Sequence, residues 1–131
     1  MIPPGSIEHL ADEIARRFHP RRIVLFGSYA TGTATEDSDV DLLIVMPHRG
    51  PDYETASRIR LVLDVPFPMD ILVRSPVEVR RRLAMNDFFL SDIIQQGLVL
   101  HDCDNPGMGE QGRRRLRRRL HSATVSKTQP V

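Results

Sequence analysis

Three carboxylates are spaced to do chemistry together. Asp39 and Asp41 flank Val40 at the head of the apolar run Val40–Met46. If that run is a strand, positions i and i+2 point the same way, so Val40 turns inward and both aspartates turn outward together. Two like charges about 7 Å apart along a strand repel unless a positive charge lies between them. A divalent cation suits the position, and all-oxygen ligands favour Mg²⁺. The third carboxylate is Asp70, inside Met69-Asp70-Ile71-Leu72-Val73. A charge is costly there for packing alone. With its strand beside the first, Asp70 joins the same cluster. Upstream, Gly27-Ser28 closes the apolar run Ile23–Phe26. Glycine lets a backbone approach a phosphate closely, and amide N–H groups and the Ser28 hydroxyl are donors to it. The turn that follows adds a helix N-terminus aimed at the same anion. A phosphate cradle beside three carboxylates describes metal-assisted phosphoryl or nucleotidyl transfer, with two metals able to clamp the attacking and leaving oxygens.

The elements that must position these groups follow from periodicity. Ile7, Leu10, Ala11, Ile14 and Phe18 share one helical face after a Ser6 cap, and Pro20 ends that helix. Strands are expected at Ile23–Phe26, Val40–Met46, Met69–Val73 and Leu98–Leu100. Residues 29–37 are small and polar, with room for one helical turn, and Ser38 reads as a turn cap. A helix from Tyr53 to Leu63, capped by Asp52, turns Ile59, Val62 and Leu63 inward. Ser75-Pro76-Val77-Glu78 is a capping box with proline at the first helical position. That helix runs to Met85, and another from Asp87 to Gln96 presents Phe88, Phe89, Ile93 and Ile94 before Gly97. The expected fold is α/β (α+β): a single domain with one small mixed sheet packed with helices.

Charge divides the chain. Its 131 residues hold 17 acidic and 18 basic side chains, a net +1. Residues 1–112 carry every acid and 11 arginines, giving −6, and residues 113–131 carry six arginines and Lys127, giving +7. Length and apolar content fit one globular domain and exclude collagen-like, disordered and disulfide-scaffold classes. No apolar run approaches the roughly 20 residues that span a bilayer, so no membrane is expected. The first residues, Met1-Ile2-Pro3-Pro4-Gly5-Ser6, lack the basic and apolar regions of a secretory signal. Cys103 is the single cysteine, fitting a reducing cytoplasm, and a buried thiol is the expectation. The five histidines have no zinc-ligand spacing, and Met46, Met69 and Met85 read as core. Turn composition from Asp102 to Gly107 places the end of the catalytic body, residues 1–104, there. Residues 105–131 read as a flexible, Arg-rich tail. The block Arg113–Arg119 suits sequence-independent contact with nucleic acid, with no interleaved aromatics for base stacking.

Gly27-Ser28, ten intervening residues, then Asp39-Val40-Asp41 followed by Leu42-Leu43-Ile44-Val45 resembles the signature of nucleotidyltransferases of the DNA polymerase beta superfamily, specifically the minimal nucleotidyltransferase (MNT) branch. Met69-Asp70-Ile71-Leu72 resembles that branch's third carboxylate strand, and Ser75 to His101 its closing helices and last strand; the likeness spans residues 6 to 102. The resemblance implies that Gly27 and Ser28 hold a nucleotide triphosphate. It implies that Asp39, Asp41 and Asp70 bind Mg²⁺, with Asp70 also orienting or deprotonating the attacking hydroxyl. ATP is the implied donor and AMP the transferred group. Many such chains resemble antitoxins that adenylylate a tyrosine of a HEPN-type toxin, so that partner is the implied acceptor. In one departure, Thr31 precedes Gly32 where a basic residue is common, with Arg74 and Arg22 as candidate replacements. Tyr29, beside the turn, reads as packing ahead of base stacking or self-modification. The chain leaves little room for separate acceptor-gripping domains, so the acceptor docks as a partner protein or is shaped by homo- or hetero-oligomerisation. The rival readings are a non-catalytic antitoxin acting by stoichiometric binding and a small-molecule, aminoglycoside-type nucleotidyltransferase.

Overall fold

The computed structural model describes the backbone of residues 2–3 and 5–128, and side chains as far as His121. Its elements are α1 (Ser6–Phe18), β1 (Arg22–Phe26), α2 (Ser28–Thr31), β2 (Val40–Val45), α3 (Asp52–Val62), β3 (Met69–Arg74), α4 (Pro76–Ala84), α5 (Phe88–Gln96), β4 (Leu98–Asp102) and α6 (Pro106–Thr128). The strands form one mixed sheet in the order β3-β2-β1-β4. β1 runs antiparallel to both β2 and β4, which the short connection through α2 allows. β2 and β3 are parallel, joined through the crossover helix α3. The expected α/β class with mixed strand directions is what the chain adopts.

Strand alternation sorts the core into two layers. Ile23, Leu25, Val40, Leu42, Ile44, Ile71 and Val73 pack in one cluster with α1, α3 and Leu116 of α6. Val24, Leu43 and Val45 pack in the other with Leu90 and Ile93 of α5. Asp41 has the parity of Leu43 and Val45, at the end of that second face. Thus the apolar run of β2 is buried on both sides, while the aspartates on its approach emerge at the sheet's rim.

Local chemistry explains most of the helix ends. Ser75 accepts a hydrogen bond from Glu78 N at 3.1 Å with Pro76 opening α4, as the capping box requires. Asp87 caps α5 through Leu90 N at 3.0 Å. Helix α1 buries Ile7, Leu10, Ala11 and Ile14 as expected, but its cap is Gly5 at φ 82°, and Ser6 lies inside the helix. Helix α3 turns Thr55, Ala56 and Ile59 inward and leaves Val62 exposed. Asp52, expected to cap α3, instead pairs with His48 at 2.7 Å and Arg74 at 3.3 Å. On α5 the buried side chains are Leu90 and Ile93, with Phe88 and Phe89 exposed. Met85 is exposed rather than core, and the Cys103 thiol lies at the surface of the β4–α6 turn instead of being buried.

The largest correction concerns residues expected to trail freely from position 105. They form α6, which lies along β4. Gly112 is the reason for the close approach: a Cβ there would overlap Val99 O, and one at Gly109 would sit 3.3 Å from Leu100 O. Leu116 is 1% exposed within the main core, and Leu120 packs beside it. One helical turn separates Arg113 from Arg117, so both face α1: Arg113 pairs with Asp12 at 2.8 Å and Arg117 with Glu8 at 2.8 Å. The acidic body and the basic segment are therefore partly each other's partners. Composition suggests a tail because three arginines flank Leu116 on each side; the tertiary core supplies the surface that Leu116 needs. Residues 129–131 of the expected tail lie outside the described residues. No helix among the described residues is long and apolar enough to cross a membrane.

Candidate functional site

The site lies where β1 and β2 end beside β3. In the β1–β2 register Phe26 is opposite Asp41, and in the β2–β3 register Asp41 is opposite Asp70. Parallel pairing with this alignment brings together two carboxylates that are 29 residues apart in sequence. Gly27 leaves β1 with φ 75° and ψ −157°. Its backbone passes so close to the Asp41 side chain that a Cβ would overlap Asp41 Oδ2. Glycine is thus required twice, by its left-handed φ and by the approach. The chain then makes the four-residue turn α2, with Gly27 O accepting from Ala30 N at 3.1 Å and Thr31 N at 3.2 Å. Ser38 closes the next turn by accepting from Thr35 N at 2.8 Å.

Asp41 is half-buried, whereas Asp39 and Asp70 are exposed. Burial pushes the Asp41 carboxyl above its ordinary pKa, and the charges of Asp70 and Asp39 push it further. Asp41 therefore senses both of the other acids. Asp70 is also held by a cation: Arg60 of α3 donates from Nη2 to Asp70 Oδ1 at 3.0 Å. As they stand, no three His, Cys, Asp or Glu side chains among the described residues converge into a metal-holding group. The chemistry of the donor set nonetheless fits a hard divalent cation. It offers carboxylate oxygens from two adjacent strands, one of them destabilised as an anion by its neighbours.

Arg22 and Arg74 do not replace the basic side chain missing at Thr31. Both align with Val45, four residues along β2 from Asp41, or about 13 Å away at strand spacing. Thr31 has its own task in the turn, its hydroxyl 2.9 Å from that of Thr33. The cation that does reach this turn is Arg119 of α6, with Nη1 3.4 Å from Thr31 O. Tyr29 is 3% exposed and belongs to the core. Sequence reading missed Arg60 and Arg119 because neither belongs to a motif. Arg60 is brought in by the return of the chain from α3 to β3, and Arg119 by the docking of α6.

The family model described as "Nucleotidyltransferase domain" matches residues 7–101, which contain all four strands but for Asp102. The chain belongs to this family. This nucleotidyltransferase is 33% identical over 98 residues to the Methanocaldococcus jannaschii protein named "Putative protein adenylyltransferase MJ0604", a match covering 73% of the chain and 95% of that relative. A shorter match, 56% identical over 32 residues, is to "Protein adenylyltransferase MntA" of Thermococcus cleftensis and covers 24% of the chain and 32% of that protein. In three dimensions the enzyme resembles the crystal structure of a "putative nucleotidyltransferase" from Sulfolobus solfataricus, with TM-score 0.54 and 16% identity over 76% of this chain and 80% of the other. That likeness concerns the fold. The minimal nucleotidyltransferase resemblance and the nucleotidyltransferase activity are both upheld, and a nucleotide is the family's substrate.

Proposed function

We propose that this nucleotidyltransferase moves AMP from ATP to a hydroxyl of a partner protein, and that the partner is a HEPN-type toxin silenced by the modification. The observation that carries the reading is the register that sets Asp41 level with Asp70 while the Gly27 backbone lies against the Asp41 carboxylate. This supports a close-approach turn for phosphates beside the carboxylates. The protein adenylyltransferase names of two relatives support the choice of AMP and of a protein acceptor.

In this mechanism the Gly27 and Ser28 turn receives the triphosphate. Asp39, Asp41 and Asp70 would hold Mg²⁺, which when bound supplies charge neutralisation of the phosphates and polarisation of the α-phosphorus. Asp70, exposed near the start of β3, orients the acceptor hydroxyl and accepts its proton. The hydroxyl oxygen bonds to the α-phosphorus as the bond to the bridging oxygen breaks, and pyrophosphate leaves.

Incubation with Mg²⁺, labelled ATP and the product of the neighbouring gene tests the proposal. Label should pass to that protein and disappear with Asp41→Ala. Absence of transfer, or transfer undiminished by Asp41→Ala, refutes it. Toxin silencing by Asp41→Ala as effective as the parent's would favour stoichiometric binding instead.

A further inference from the structure

Asp41 lies level with Asp70 in the β2–β3 register, and Asp70 is already engaged by a cation. That cation is Arg60. It projects from the last turns of α3, ten residues before Asp70, and its guanidinium bonds Asp70 Oδ1 at 3.0 Å, with the two side chains 44% and 65% exposed. The connection between them, through Pro66 and Pro68, returns the chain so that Arg60 reaches the start of β3. A carboxylate oxygen engaged by a guanidinium is not available as a full ligand to another cation. An exposed pair of this kind is also weak and exchangeable, because solvent competes for both partners.

We infer that Arg60 is a resident counter-cation that competes with the divalent ion for Asp70. It is a positioning residue: it neutralises Asp70 and, by holding Oδ1, weakens that carboxylate as a metal ligand. The arginine thereby raises the cation concentration at which the site loads. The inference rests on the proposed metal role of Asp39, Asp41 and Asp70.

Mn²⁺ alone, without nucleotide, is a suitable probe, titrated against the full chain while free Mn²⁺ is followed by electron paramagnetic resonance. Arg60→Gln should bind Mn²⁺ roughly threefold more tightly than the parent, the scale of an exposed ion pair. Arg60→Lys, which keeps the charge, should stay near the parent. Adding Asp70→Asn to Arg60→Gln should erase the gain, because the competition is for that carboxylate. Equal or weaker binding by Arg60→Gln overturns the inference. A gain that survives Asp70→Asn also overturns it, since it would then reflect general removal of positive charge. Failure of the parent to bind Mn²⁺ at all overturns both this inference and the metal site beneath it. Binding by the parent that is insensitive to Arg60 overturns the inference alone.

Discussion

The two ends of strand β1 each face an aspartate, and they treat it in opposite ways. At one end Arg22 is opposite Asp102 of β4, and at the other Phe26 is opposite Asp41 of β2. Asp102 is 7% exposed and fully answered: Arg22 pairs with it at 2.8 Å, and the amides of Asp104 and Asn105 donate to it at 2.9 and 3.0 Å. Burial works to raise its pKa, but the Asp104 amide and the Arg22 guanidinium more than offset that, and the carboxyl lies below its ordinary range. Asp41 has burial and two neighbouring negative charges, so its carboxyl lies above that range. One end of the strand uses its acid to join β4 to α6. The other keeps a half-buried acid beside two further negative charges, the kind of environment that marks functional sites.

That contrast breaks most visibly in activity. Asp41→Asn should lower nucleotidyl transfer about a hundredfold or more, on the scale of removing one electrostatic group from a reacting centre, whereas Asp102→Asn should leave turnover of the folded enzyme near the parent's; steady-state label transfer compares the two. For stability the order reverses, and the packed α6 contributes most. Leu116→Ala should cost about 3 kcal/mol, the usual range for a fully buried leucine, read as a lower urea midpoint. A change within a few tenths of a kcal/mol would mean that α6 is dispensable to the core. Asp102→Asn should cost about 2 kcal/mol, since it weakens a charged pair and two charge-assisted amide bonds. That loss should be complete at neutral pH and fade in acid, because a lowered carboxyl stabilises the fold above its unfolded pKa and ceases to as pH falls through the folded value. The smallest effect has the opposite sign. A raised carboxyl costs stability once pH exceeds the unfolded value, so Asp41→Asn should raise the neutral-pH Tm slightly, and the gain should vanish in acid. A Tm lowered by Asp41→Asn at neutral pH would show that the half-buried aspartate is satisfied after all.

Much of this site was legible before any fold was known. Gly27 followed by Asp39 and Asp41 at a fixed interval identifies a strand–turn–strand unit, and Asp70 stands out as a charge within an apolar strand. The Ser75 capping box and the helix beginning at Asp87 are equally local signals, and both helices form. Harder were the faces of α3 and α5, where Val62, Phe88 and Phe89 read as core yet lie exposed. Apolar periodicity marks a face without saying how far the neighbouring layer extends over it. The segment after residue 104 was misread for a related reason. Turn composition up to Gly107 and the run of arginines suit a tail, but Gly109 and Gly112 are contact points where a helix meets β4.

The sequence by itself determined the carboxylates, the glycine beside them and the element order, because these depend on residue type, alternation and capping within a few positions. Tertiary structure alone decided which charges meet. Asp41 faces Asp70 through parallel register, Arg60 holds Asp70 through the return from α3, Arg22 lies at the far end of the sheet, and the arginines of α6 are divided between α1, α2 and solvent. Coulomb interactions act through space, so partners separated by tens of residues are set by packing, which no local pattern encodes.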